Sequence, residues 1–152
     1  MELWGSAEVT KLVGGPFSKE QVKERLAREI SNMSAYKIQY WPMFLLSSGE
    51  FVGCCGLKPY KSEQKVYEIG FYLMPAYWGQ GFASEAACAV VEYAFSTLKA
   101  SALFAGHHPA NRSSQHVPEK LGLSYTHDEF YAPTGSMHLS YFLSAEVYAK
   151  RH

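Results

Sequence analysis

The spacing of apolar residues changes several times along this chain, and each change predicts an element. Val22, Leu26, Ile30 and Met33 recur every three to four positions, the period of a helix with one apolar stripe. Ser18 precedes them with Gln21 three residues later, the spacing of a capping box. Residues 5–12 read as a weaker helix ending at Gly14-Gly15-Pro16. The stretch YKIQYWPMFLLSSGEFVGCCGLKPY then predicts two strands around a turn at Ser48-Gly49-Glu50. Pro42 cannot donate to a ladder, so the first of these belongs at a sheet edge or a bulge. KVYEIGFYLM follows the loop at residues 61–64 as a third strand. Helical spacing returns over residues 80–98 with Ala83, Ala86, Ala87, Val90, Val91, Ala94, Phe95 and Leu98. SALFAGHH is short and apolar throughout, as a mid-sheet strand should be. Asn111 starts a helix over 112–121 that Gly122 ends and Pro118 kinks. LSYTHDEFYA and MHLSYFLS close the chain as strands around Pro133-Thr134-Gly135. The succession describes a mixed α/β sheet in one domain, residues 1–152.

Composition narrows the classes. The 152 residues are 47% hydrophobic, enough for a packed core. Lys+Arg and Asp+Glu balance at 14 each, so no net field draws the chain to nucleic acid or an anionic membrane. No apolar run approaches the roughly 18 residues that span a bilayer, and MELWGSAEVTK lacks the pattern of a secretion signal. Cys54, Cys55 and Cys88 are odd in number, lack metal-site spacing and read as reduced thiols. The expected compartment is the cytoplasm.

The candidate chemistry centres on PAYWGQGFASEA, where Gly79 and Gly81 stand at the mouth of a helix. A glycine turn between a strand and a helix N-terminus presents unpaired N–H groups and the positive end of a dipole, an anion site. The chain has no G-x-x-x-x-G-K-[ST] phosphate loop. A dinucleotide turn fails as well, because Ser84 stands at its third glycine and the next strand, ending FAGHH, carries no carboxylate for a ribose. Glycines that merely let a helix approach a strand are the plain alternative. The remaining ligand of this kind is the pyrophosphate of coenzyme A.

Here the sequence resembles a family. EIGFYLMPAYWGQGFASEA is similar to the acetyl-CoA signature of GNAT N-acetyltransferases, above all the branch that acetylates ribosomal-protein N-termini. GHHPANRSSQHVPEKLGLSY, FVGCCGLKPY and SYFLS continue the resemblance in family order, over about Trp4 to Tyr148. The resemblance implies a mostly antiparallel central sheet with a splayed parallel strand pair and flanking helices, and acetyl-CoA as cosubstrate. Phe71, Tyr72, Leu73 and Met74 would line the pantetheine arm, and their amides would polarise the thioester carbonyl. Trp78, Gly79, Gln80, Gly81, Phe82, Ala83 and Ser84 would cup the pyrophosphate, with Asn111 at the pantetheine and Ser114 near the sulfur. The chain departs from the pattern at Ala76, where the superfamily has Gln or Arg, and at Pro118. By the same comparison it starts roughly twenty residues late and is expected to lack the usual first strand; the open sheet edge is then covered by a homodimer partner or a rearranged N-terminus, or the sequence is a shortened form of a longer protein.

Transfer to an amine requires a base, since an alkyl ammonium near pKa ~10 has no lone pair at neutral pH. Glu68, in YEIGF on a central strand, is the candidate base, with a surface or paired Glu as the plain reading. Ser114 is the candidate acid, with Tyr125 and Tyr141 as phenolic competitors. His107 and His108 are adjacent, face opposite ways on a strand and lack further ligands, so no metal is expected. Trp41 and Trp78 read as packing residues, and Glu85 as compensation for a helix dipole. The expected function is transfer of an acetyl group to a primary amine of a small molecule or peptide N-terminus. The alternative is a non-catalytic acyl-CoA-binding or assembly module on the same fold.

Overall fold

The computed structural model describes residues 18–107, 117–131 and 133–151. Helix α1 (Lys19–Tyr36) begins at the expected capping box: Ser18 Oγ accepts from the Gln21 amide, and Gln21 Oε1 accepts from the Ser18 amide at 2.8 Å. Strands β1 (Tyr40–Phe44), β2 (Phe51–Lys61) and β3 (Val66–Leu73) form an antiparallel meander. Helix α2 (Phe82–Glu92) follows, and Tyr93–Thr97 continue it as a π-helical turn. It carries the chain to β4 (Ala102–His107), which runs parallel to β3. A crossover of this kind is what parallel neighbours require. A helical turn at 117–120, strands β5 (Ser124–Tyr131) and β6 (Ser136–Ser144), and helix α3 (Ala145–Arg151) complete the described chain.

The six strands make one sheet in the order β1-β2-β3-β4-β6-β5. Pro42 is therefore on an edge strand, as its missing N–H demands, and the β1–β2 register shifts between Met43 and Phe44. The short apolar strand sits at the centre, where Leu103 is fully buried. One face of the sheet packs α2: Ile69, Leu73 and Leu103 meet Ala83, Ala87, Val90, Val91 and Ala94 in a single core. Burial of side chains like Leu57 and Leu103 stabilises by roughly 1.5–3 kcal/mol each. Cys54 and Cys55 fall in different clusters, as neighbours on a strand must, and both are buried free thiols.

Three expectations need correction. The predicted helix over 80–98 starts at Phe82, because Gly81 adopts a left-handed φ of 82° and serves as its N-cap; Pro75–Tyr77 form a separate 3-10 turn. The C-terminal helix α3 was not foreseen; Ser144 Oγ accepts from the Val147 amide, Glu146 lies early, and Lys150 and Arg151 lie late. The stripe on α1 is not a core face among the described residues, since Leu26 is 60% and Ile30 64% exposed. The expected helix at 5–12 and the start of the one at 112–121 lie outside the described residues. The latter does end where expected, with Gly122 at φ 93°.

Candidate functional site

The parallel pair β3–β4 holds for only three register positions: Val66 with Ala102, Tyr67 with Leu103, and Glu68 with Phe104. Beyond them, Ile69–Leu73 and Ala105–His107 run on without pairing to each other, so the strands splay as expected. The Met74 amide donates to the Val52 carbonyl at 2.9 Å. Backbone groups of a strand alternate sides, so the even-numbered residues 68–74 bond β2 while Ile69, Phe71 and Leu73 aim theirs into the gap. Of the four residues expected along the pantetheine, Phe71 and the amide of Leu73 thus face the gap, the Leu73 carbonyl being taken by Trp78 Nε1. The amides of Tyr72 and Met74 are used in the sheet.

The gap opens into a cavity of about 280 Å³ on the face opposite α2. Its wall includes Glu68, Gly70, Phe71 and Tyr72 of β3, Phe104 and Gly106 of β4, and Ser140 of β6. Antiparallel partners share a face, and the registers Tyr40–Gly56, Gly56–Gly70 and Gly106–Ser140 set three glycines in a row across the splay. A Cβ on Gly70 would collide with the Tyr40 hydroxyl, so glycine there lets the phenol reach across to the gap.

Glu68 stands at the fork itself. Burial pushes its carboxyl above the ordinary value, the Lys58 ammonium at 3.6 Å opposes this, and Glu129 adds to the rise. Lys58 is its register partner on β2. Glu129 also lines the cavity and accepts from the Tyr60 hydroxyl at 3.1 Å, while Tyr60 stacks on Phe104 with centroids 4.2 Å apart. Burial pushes the Tyr40 and Tyr72 phenols up, so both remain protonated. His138, 6% exposed, shares a 2.9 Å hydrogen bond with Thr134 and packs on Tyr131.

At the far end of β3, the glycine turn is open. Gly79 and Gly81 have φ of 73° and 82°, and an added Cβ at either would meet nothing within 4 Å. Their identity is dictated by backbone conformation and not by a neighbour in the chain. No side chain caps α2, which leaves the orphan N–H groups of its first turn, Phe82 to Ser84, to an outside partner. Those open amides fit an anion such as a pyrophosphate. The surrounding side chains are engaged otherwise: Gln80 Nε2 donates to the Ala76 carbonyl at 3.0 Å, and Trp78 Nε1 donates to the Leu73 carbonyl at 2.9 Å. Trp41 packs edge-on against Tyr93, and Glu85 is exposed in the first turn of α2, as expected of both.

Asn111, Ser114 and His108 lie outside the described residues. Tyr125 is 52% exposed, donates to Asp128 at 2.9 Å and does not line the cavity. Tyr141 is buried in the core. The sequence reading missed Tyr40, Lys58, Tyr60, Glu129, His138 and Ser140. Lys58, Tyr60 and Ser140 stand in the family-like strings FVGCCGLKPY and SYFLS, but what would have put any of the six in the cavity is strand alternation, which places a residue on a face once register is known and not before.

The chain matches the family described as acetyltransferase (GNAT) domain over residues 1–124. It is 33% identical over 125 residues to YkkB, an uncharacterised protein of Bacillus subtilis, covering 82% of this chain and 73% of YkkB. It is 30% identical over 142 residues to the FsC-acetyl coenzyme A-N(2)-transacetylase of Aspergillus fumigatus, covering 86% of this chain and 59% of that one. Among solved structures, the GNAT-family acetyltransferase of Bacillus anthracis superposes with a TM-score of 0.78 at 27% identity, over 95% of this chain and 86% of that one.

Proposed function

The chain belongs to the GNAT acetyltransferase family, and from that premise we propose that it transfers the acetyl group of acetyl-CoA directly to a primary amine, with Glu68 as the base. One observation carries this reading: Glu68 is fixed where β3 and β4 part, at the mouth of a cavity, with its carboxyl raised by burial. Acetyl-CoA supplies an activated acyl thioester. The gap-facing backbone of Phe71 and the amide of Leu73 hold the pantetheine arm as an added strand would be held. The Phe71 amide donates to the acyl oxygen, where negative charge develops during attack. The open amides of Gly79 to Ser84 hold the pyrophosphate, largely without side-chain help, because Ala76 offers none and Gln80 is turned back on the turn. Glu68 takes the ammonium proton, directly or through a water, and frees the lone pair.

Ser114 remains the proposed donor to the departing thiolate, ahead of Tyr125, whose hydroxyl is bound to Asp128. The acceptor is a small amine or a peptide N-terminus, and the motif string favours the ribosomal-protein branch for the latter. The test is thiol release from acetyl-CoA over a panel of amines. Glu68→Gln should lower kcat/KM by about 10² to 10⁴ and leave acetyl-CoA affinity intact. A Gln variant as active as the wild type would remove Glu68 from the mechanism.

A further inference from the structure

Ser140 is fully buried, lines the cavity, and its Oγ has no hydrogen-bond partner among the described residues. Its backbone is well placed by comparison, pairing with Gly106 on one side and accepting from Thr126 on the other. A buried hydroxyl left unpaired is a standing cost to the free protein, and one that a ligand removes by bonding to it. Continuing the Glu68–Phe104 register past the fork would set Gly70 opposite Gly106, so Ser140 lies one strand beyond the point where β3 and β4 separate. Between Glu68 and Ser140 the floor is formed by Gly70 and Gly106, with the Tyr40 hydroxyl over the first and the edge of the Phe104 ring over the second.

We propose that Ser140 positions the acceptor amine, accepting a hydrogen bond on Oγ from its N–H while Glu68 removes the proton on the other side of the gap. This rests on the acetyl-transfer reading of the same cavity. The wall also states the chemistry of the acceptor. Among the lining residues Glu68 and Glu129 outnumber Lys58, the Arg25 guanidinium behind Tyr40 is paired with Glu29, and Tyr60, Tyr72, Phe104 and Tyr131 add aromatic side chains. Such a wall attracts an ammonium by charge and by its ring quadrupoles, and accommodates an apolar or aromatic body behind it. A volume of about 280 Å³ is at the small end of ligand pockets, commonly roughly 300–1,000 Å³. The ligand class is therefore a small cationic amine with an apolar or aromatic body. Water does not reach the hydroxyl in the free cavity, so the entering group must part the side chains of the wall, and the bond it then makes is shielded from solvent.

The proposal separates binding from folding in sign. Ser140→Ala removes an unpaired polar atom and should leave the melting temperature of the free protein equal or higher. The same change should weaken 2-phenylethylamine about tenfold by calorimetry with CoA present, and raise its KM to a similar extent, with CoA affinity unchanged. Ser140→Cys, which keeps the size and only a weak acceptor, should fall between the two. L-Aspartate, an amine of net negative charge, should not bind. Equal affinity of wild type and Ser140→Ala for the amine overturns the proposal, as does failure of the wild type to bind 2-phenylethylamine. A fall of several degrees in the melting temperature of Ser140→Ala would make the residue structural and equally overturn it. Amine binding that depends on Ser140 without any thiol release from acetyl-CoA would instead sink the catalytic reading while sustaining this one.

Discussion

At Gly81 two requirements coincide that a single substitution usually confuses. The residue has φ 82°, which costs a side-chain-bearing residue strain, and the space above it is empty, which a side chain would fill. Valine would violate both at once, so a loss of CoA binding in that variant would say little. Asparagine tolerates the left-handed region far better than branched residues do, yet still projects a side chain over the turn. Gly81→Asn should therefore lower the melting temperature of the free protein by no more than about 3 °C, equivalent to about 1 kcal/mol in a domain of this size. It should nonetheless raise the CoA dissociation constant about tenfold or more. If Gly81→Asn binds CoA as the wild type does, open space over the turn has no part in binding, and the glycine serves backbone conformation alone.

At the scale of elements, the pairing of β2 with β3 sets the electrostatics of the fork. Glu68 and Lys58 are register partners, and their charged ends are 3.6 Å apart. Removing the cation in Lys58→Met takes away what opposes burial, so the Glu68 carboxyl should rise further. Because a general base works ionised, the role proposed for Glu68 requires kcat/KM to climb with pH through its titration. In Lys58→Met that limb should shift to higher pH, leaving activity lower on the acid side of the profile. In Glu68→Gln the limb should vanish. The stability effect follows from the same sign. A carboxyl whose folded value exceeds its ordinary one binds more protons when folded, so its contribution is full below the ordinary value and is lost as pH rises through the folded one. Lys58→Met should extend that loss to higher pH, and Glu68→Gln should abolish it, both measurable as melting temperature against pH. A limb unmoved by Lys58→Met would show that some other group titrates in the rate. This pairing also marks the boundary of what a sequence discloses. Glu68 was visible as a carboxylate on a strand leading into the glycine turn, whereas Lys58 and Ser140, although they stand in family-like strings, join the cavity only through registers between strands.

Across the whole molecule, the legible parts are those whose cause is local. The capping box at Ser18, Pro42 on an edge strand and the all-apolar strand at the sheet centre each follow from the chemistry of a few neighbouring residues. The seven residues of α3 were too short to show a helical period, and the exposed stripe of α1 shows that amphipathic spacing predicts a helix better than it predicts what the helix meets. The splay belongs to neither case: it is a property of two strands and the helix between them, and the strand partings and the uncapped start of α2 are each costs to the free protein. The backbone groups of Ile69 and Phe71 and the amide of Leu73 lose ladder partners on the β4 side, and the first turn of α2 keeps its orphan donors. A ligand that satisfies both sets at once must stabilise the fold in proportion to its affinity. Acetyl-CoA at 100 times its dissociation constant should therefore add about 2.7 kcal/mol. For a chain of this length that raises the melting temperature by about 5–10 °C. Adenosine bisphosphate, which carries the anion without the pantetheine arm, should give a smaller rise by meeting only the helix end. Equal shifts from the two would mean that the strand gap contributes nothing to binding, and no shift from either would remove the cofactor site altogether.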